Sequence, residues 1–300
     1  MHQNTRQYQA VETGRKMTAE NGKIAAIDVG GPDALGFLQG QLTQDLETVR
    51  SDAPSYAAWV NPAGRVITIA DVVRTNNGFR LYVPASLREL IVERLRKFRM
   101  RSSVELEIPD GPFFEATVAK DKNDHAESST IARRRLESDP PLLERFATSG
   151  PLAARTAAGR RTVAEWQRAR LQAGIPWIGK ATTERFTAQQ INLDLIGAIS
   201  FTKGCYSGQE IIARTHNLGR VKRRARRLTA AIGDSTVLCG DDIVCDGKKT
   251  GTVIAASGPD SGPGLDILAL LPVVGLPDEF TLPGGLPLTL APLPYEIPDP

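Results

Sequence analysis

Half of the chain's prolines crowd into its last stretch: of 20 in 300 residues, ten lie between Ala256 and Pro300. A residue that fixes φ and lacks an N–H ends any helix it enters, so this stretch is confined to turns and short strands. Charge divides at nearly the same place. From Leu228 to Pro300 ten Asp and Glu stand against Lys248 and Lys249, a net of −8, which leaves +11 on residues 1–227 of a chain whose total is +3. The two shifts put a boundary near Arg227, with a basic mixed α/β region over 1–227 and an all-β module over 228–300. In the module, Ile243 to Cys245, Gly251 to Ala256 and Ile267 to Leu271 are short strands, Asp246-Gly247 is a hairpin turn, and a small barrel closes the edges.

At 41% hydrophobic and 24% charged residues, the composition excludes a disordered or collagen-like chain. The best apolar run, Ile267 to Leu276, is cut by Pro272 and Gly275 and is too short to span a bilayer. The polar opening MHQNTRQYQAVETGRKM lacks the apolar core of a secretory signal, so a cytoplasmic protein without membrane partners is expected. Cys205, Cys239 and Cys245 contain no CxxC pair, which speaks against a disulfide framework or a zinc knuckle. Only His2, His125 and His216 could serve a histidine metal centre or a serine–histidine engine, and no metal site is expected.

Asp33 to Leu46 opens at a Gly-Gly-Pro turn and carries Ala34, Leu35, Leu38 and Leu42 at helical spacing. Arg65 to Val73 and Phe79 to Val83, joined by Asn76-Asn77-Gly78, read as a hairpin. Ser86 and Glu89 make a capping box for a helix reaching Phe98, followed by a strand from Val104 to Ile108. Thr162 and Glu165 make a second box, for a helix that Gly174 and Pro176 stop. Residues 120–160, with Arg133-Arg134-Arg135 and Pro140-Pro141, lack a period and read as loop or insertion.

The segment KGCYSGQEIIARTHNLGRVKRR, Lys203 to Arg224, joins a glycine-rich turn to a helix and then to a basic strand. Ser207 and Glu210 have capping-box spacing, and Gly204 and Gly208 permit unusual backbone angles. Cys205 sits between Lys203 and that cap. An ammonium and a helix N-terminus both favour a thiolate there, while a small thiol packed beneath the turn is the other reading. Cys239 and Cys245, on expected strands without a nearby cation, read as packing residues.

Trp166 and Arg170 share one face of the Thr162 helix. They form either an aromatic platform beside a guanidinium, suited to a flat anionic ligand, or a half-buried Trp with a solvated Arg. Asn61-Pro62-Ala63-Gly64-Arg65 is a turn before a strand, from which Asn61 and Arg65 project polar groups. Lys222, Arg223, Arg224, Arg226 and Arg227 would attract phosphate as a cluster. No aromatic residue interleaves with them, and a charged edge strand looks the same, so direct tRNA binding is not expected.

KGCYSGQEIIAR closely resembles the signature of the YgfZ-type folate-binding proteins, relatives of the glycine-cleavage T-protein. The resemblance extends to GPDALGFLQGQLTQD (Gly31 to Asp45), NPAGRV (Asn61 to Val66), RLQAGIP (Arg170 to Pro176) and QINLDLIGAISFTKGCYSGQE (Gln190 to Glu210). It implies an α+β fold of three lobes around a central opening, with a ferredoxin-like element, a further α/β lobe and a C-terminal β-barrel. It also implies tetrahydrofolate or a related folate as cofactor. The role it implies is assembly, repair or maintenance of iron–sulfur enzymes, including those that modify tRNA, with these enzymes or cluster-assembly proteins as partners. The cysteines lack a cluster spacing, so no resident cluster is expected.

On that footing Trp166 stacks on the folate, Arg170 pairs with its glutamyl carboxylates, and Asn61, Arg65 and Lys203 contact it. Cys205 and Lys203 are the candidate catalytic groups facing the opening. Two departures stand out. Ala188 replaces a proline common before INLDL, and Thr68 lies near where transferase relatives carry a catalytic aspartate. A threonine hydroxyl is too weak a base at neutral pH, which argues against aminomethyl transfer, and strand alternation turns Asp71 to the opposite face from Thr68. A folate-dependent aminomethyltransferase or demethylase and an RNA-binding module are the alternatives.

Overall fold

The computed structural model describes residues 23–119, 131–150, 152, 160–231, 237–277 and 279–300. The polar opening, His2 and His125 lie outside them. A five-stranded antiparallel sheet runs in the order β2-β3-β4-β1-β5, from β1 (Ile24–Gly30), β2 (Ser55–Val60), β3 (Val66–Thr75), β4 (Gly78–Pro84) and β5 (Glu105–Glu107). Helix α1 (Ala34–Gln39) follows β1 and α2 (Arg88–Arg99) joins β4 to β5. The series β1-α1-β3-β4-α2-β5 is thus the ferredoxin-like element, widened by β2 at its edge.

Alternation splits the sheet into two apolar faces. Ile27, Val72 and Leu81 pack with Leu38 of α1 and Ile91 of α2 in one core. The register lines up Tyr56, Asp71, Tyr82 and Ala26 across four strands on the other face. That face meets a three-stranded antiparallel sheet, β6-β8-β7, made of β6 (Phe114–Val118), β7 (Ile131–Leu136) and β8 (Leu142–Ala147). Helix α3 (Val163–Gln172) follows, and a run of turns leads to α4 (Gln209–Leu218).

The closed barrel is made of β9 (Arg223–Ala230), β10 (Asp242–Cys245), β11 (Lys248–Ala256), β12 (Leu265–Pro272), β13 (Phe280–Thr281) and β14 (Pro287–Ala291). Asp246 and Gly247, at φ 47° and 71°, give the β10–β11 hairpin the left-handed pair that its twist demands. Beyond β14 the Tyr295 hydroxyl donates to the Gly174 carbonyl at 2.7 Å and accepts from Asn192 Nδ2 at 3.3 Å. Gly174 has φ 71°, and a Cβ there would overlap the Tyr295 ring, so only glycine admits the tail.

Several elements differ from the sequence reading. The helix expected over Asp33 to Leu46 ends at Gln39, because Gly40 caps it and Leu42 bridges to Trp59 on β2. The Ser86–Glu89 box does not form: a tight 3-10 turn over Ala85–Leu87 leads into α2, whose cap Leu87 has no side-chain bond. The Thr162–Glu165 box forms in full, with bonds of 2.8 and 3.2 Å. Part of the aperiodic 120–160 stretch is β7 and β8. Arg227 lies inside a barrel strand rather than at its border, since β9 begins at Arg223, and two cations of the basic run are paired within the fold: Arg224 with Asp194 and Arg227 with Asp266. Among the described residues no helix is long and apolar enough to cross a membrane.

Candidate functional site

Two turns singled out in the sequence, at Asn61 and at Lys203, are braced against each other at the start of α4. Gly208 caps that helix at φ 78°, where any side chain would meet Val60 and the Asn61 carbonyl. The Ser207–Glu210 box is absent; the Ser207 amide donates instead to the Gly40 carbonyl at 3.1 Å. Lys203 Nζ lies 2.8 Å from each of the carbonyl oxygens of Gln39, Leu42 and Gln44. An ammonium has three N–H groups, and all three are taken. Lys203 therefore fastens the turn to the end of α1. Burial pushes its pKa down to about 8, with Asp45 pulling the other way.

Cys205 is exposed between the buried Lys203 and Tyr206, which excludes the thiol packed beneath the turn. Asn61 also has a structural task. Its Oδ1 accepts from the amides of Ala63 and Arg65 at 3.0 Å, and its Nδ2 donates to Glu184. The bonds from Arg94 and then Asn61 hold the Glu184 carboxyl below its ordinary pKa. Arg65 is exposed and donates to the Arg185 carbonyl at 2.7 Å. A Cβ on Gly64 would lie 2.7 Å from Ile211 of α4, so this turn fits the helix only as glycine.

Deeper in the molecule, four charged side chains close on one another. Arg170 Nη1 donates to Asp71 at 2.9 Å and to Glu144 at 3.3 Å, while Arg134 donates to both carboxylates at 2.6 Å. Trp166 Nε1 donates to Glu144 at 2.6 Å. The Tyr56 ring lies under both guanidiniums, 3.9 Å from Arg134 and 5.3 Å from Arg170, and burial pushes its phenol pKa well up. Trp166 and Arg170 are each 1% exposed. The open platform expected from their spacing is thus corrected: both are sealed in the core, their polar groups turned to Glu144 and Asp71.

Tyr56 Oη, Arg134 Nη1 and Arg170 Nε are buried there without a partner among the described residues. Thr68 pairs across from Trp59 on the helix-covered face, whereas Asp71 points into this network. The sequence reading missed Arg134 and Glu144 because their stretch shows no period. A signal was present in the charged pair Glu144-Arg145 set inside the apolar run from Leu142 to Phe146.

Near the network is a cavity of about 300 Å³. It exists because β5 pairs only with Asp28 to Gly30, leaving the first residues of β1 without a strand on that side among the described residues. Ile24, Ala26, Tyr82, Phe113 and Phe114 wall it, and Lys23, Arg88 and Asp110 charge it. Tyr82 is fixed by donating to the Ala147 carbonyl at 2.6 Å. Phe114 lies 4.8 Å from Trp166, so this wall backs onto the charged network. None of Asn61, Arg65, Trp166, Arg170, Lys203 and Cys205 lines the cavity.

No family model matches the chain. The tRNA-modifying protein YgfZ of Edwardsiella ictaluri is 28% identical over 305 residues, covering 90% of this chain and 89% of that protein. The protein of the same name from Escherichia coli O157:H7 is 30% identical over 271 residues, 80% of each chain. The chain belongs to the YgfZ family. This chain also shares its fold with the glycine cleavage system aminomethyltransferase T of Bartonella henselae, at a TM-score of 0.66 over 92% of this chain and 84% of that one. At 16% identity the likeness is one of fold alone.

Proposed function

We propose that this YgfZ chain binds tetrahydrofolate and serves tRNA modification as an accessory protein, supporting the assembly, repair or maintenance of iron–sulfur enzymes. The observation that carries the ligand is the cavity beside β1. Its volume of about 300 Å³ sits at the lower end of small-molecule sites. Tyr82, Phe113 and Phe114 offer flat apolar surface to a pteridine, and Lys23 and Arg88 offer charge to glutamyl carboxylates. Bound folate supplies a carrier of one-carbon units. Trp166 and Arg170 act from behind, holding Phe114 and Glu144 in place.

Cys205, exposed on the turn that Lys203 fastens, is the group presented to an iron–sulfur enzyme or a cluster-assembly protein. The relatives' name, tRNA-modifying protein, supports the pathway, and the cytoplasm is the place proposed. Aminomethyl transfer is not favoured. Thr68 faces the helices, and each oxygen of Asp71 is already occupied by a guanidinium.

Calorimetric titration with tetrahydrofolate under reducing conditions tests the ligand: saturable heat is expected, weakened in Arg88→Ala. Unchanged affinity would remove the cavity from the reading. In a strain lacking its own family member, this chain should restore cluster-enzyme activity and tRNA modification. Equal restoration by Cys205→Ala would defeat the role given to the thiol.

A further inference from the structure

The basic run from Lys222 to Arg227 is mostly turned inward. Arg224 and Arg227 are in ion pairs, Arg223 donates to the Thr250 carbonyl, and Arg226 donates to the Val273 carbonyl at 3.2 Å. Beside it, the end of α4 is different. Arg214, Arg220 and Lys222 are exposed and make no ion pair among the described residues. The fold also supplies what the run lacks in sequence, an aromatic surface. Phe201, 37% exposed, stacks on His216 with ring centroids 3.8 Å apart and planes within 17°. Leu218, 85% exposed, extends the apolar surface next to the cations.

Flat rings among solvated cations suit a chain whose anionic groups alternate with planar ones. That is the chemistry of a single-stranded nucleic acid, in which every base has a face to stack and every phosphate a charge to neutralise. An acidic protein surface would use the cations but has no general need of the stacked rings. We propose that the C-terminal end of α4, with Phe201, His216, Arg214, Arg220 and Lys222, binds a single-stranded segment of RNA. Asp299 and the Arg224-paired Asp194 border the same end of the helix and would limit the strand's path to the outer side. This surface requires neither the cavity nor Cys205, so it stands or falls apart from the folate reading.

The test uses the full chain and a fluorescent single-stranded RNA of mixed sequence, followed by anisotropy at several salt concentrations without folate. Saturable binding is expected, falling as salt rises. Phe201→Ala should weaken it about tenfold, with Phe201→Trp restoring it, because base stacking is sequence-tolerant and needs only a ring. Arg220→Ala and Lys222→Ala together should flatten the dependence of log affinity on log salt by about 0.7 per cation removed. Since all three side chains are exposed, circular dichroism and melting should match the parent protein. Loss of binding with the cations but none with Phe201→Ala would overturn the strand assignment in favour of a charge-only surface for an acidic protein. No binding at low salt, or no effect of either set, would overturn the site.

Discussion

Arg170 and Asp71, 99 positions apart, meet in a 2.9 Å ion pair with side-chain exposures of only 1% and 4%. The pair ties α3 to β3 and so joins the ferredoxin-like element to the helix that follows β8. Removing one partner of such a pair leaves a buried charge under-compensated, at a cost of about 3–5 kcal/mol. Arg170→Ala should therefore lower the urea midpoint steeply. In a double-mutant cycle with Asp71→Asn the loss in the double variant should fall short of the sum of the two single losses; additive losses would show that the residues are not coupled.

Lys203 makes stability depend on pH in a definite direction. Its folded pKa is about 8 against an ordinary 10.5, so between these values the native protein has released a proton that the unfolded chain still holds. Stability from this group therefore rises with pH across that window, and the penalty of burying the charge is fully present below it. Compared with Lys203→Met, the parent protein should gain in denaturant midpoint from pH 8 to 10.5. Parallel profiles would refute the assignment.

The three thiols should react at different rates. Cys205 is exposed, whereas burial pushes the Cys239 thiol pKa up and Cys245 is partly covered. Brief alkylation of the native protein followed by peptide mapping should find Cys205 modified first and Cys239 last. Equal labelling would mean that the turn does not present its thiol as described.

Gly208→Ala forces a side chain into left-handed backbone at φ 78° and into contact with Val60. A loss of about 1–3 kcal/mol is expected, measured by thermal or urea unfolding. The turn holding Cys205 would shift with it, so the alkylation rate at that thiol should change as well. Gly204→Ala, where a Cβ meets nothing nearby, is the control and should leave both readouts near those of the parent.

Local signals in the sequence led to most of the architecture. Prolines and the charge shift located the barrel, Asp246-Gly247 its first hairpin, and Thr162 and Glu165 the start of α3. The Ser86 and Ser207 boxes did not form although their spacing is the same. A short 3-10 turn in one case and a left-handed glycine in the other took over the helix start, and neither is encoded by the spacing of serine and glutamate. The site was less legible. Spacing placed Trp166 and Arg170 on one helix face but not what covers that face; the cover comes from Glu144 and Arg134 on strands without a clear pattern. Lys203 looked chemical because an amine beside a thiol often is, and its three carbonyl partners come from a turn some 160 positions away.

Tyr295 rests on Gly174 although the last barrel strand ends at Ala291. A truncation just short of that tyrosine would spare every barrel strand and still remove the ring over Gly174, leaving the bend after α3 open to water. The residues beyond β14 thus act as a clasp on that bend, which a complete barrel alone does not supply.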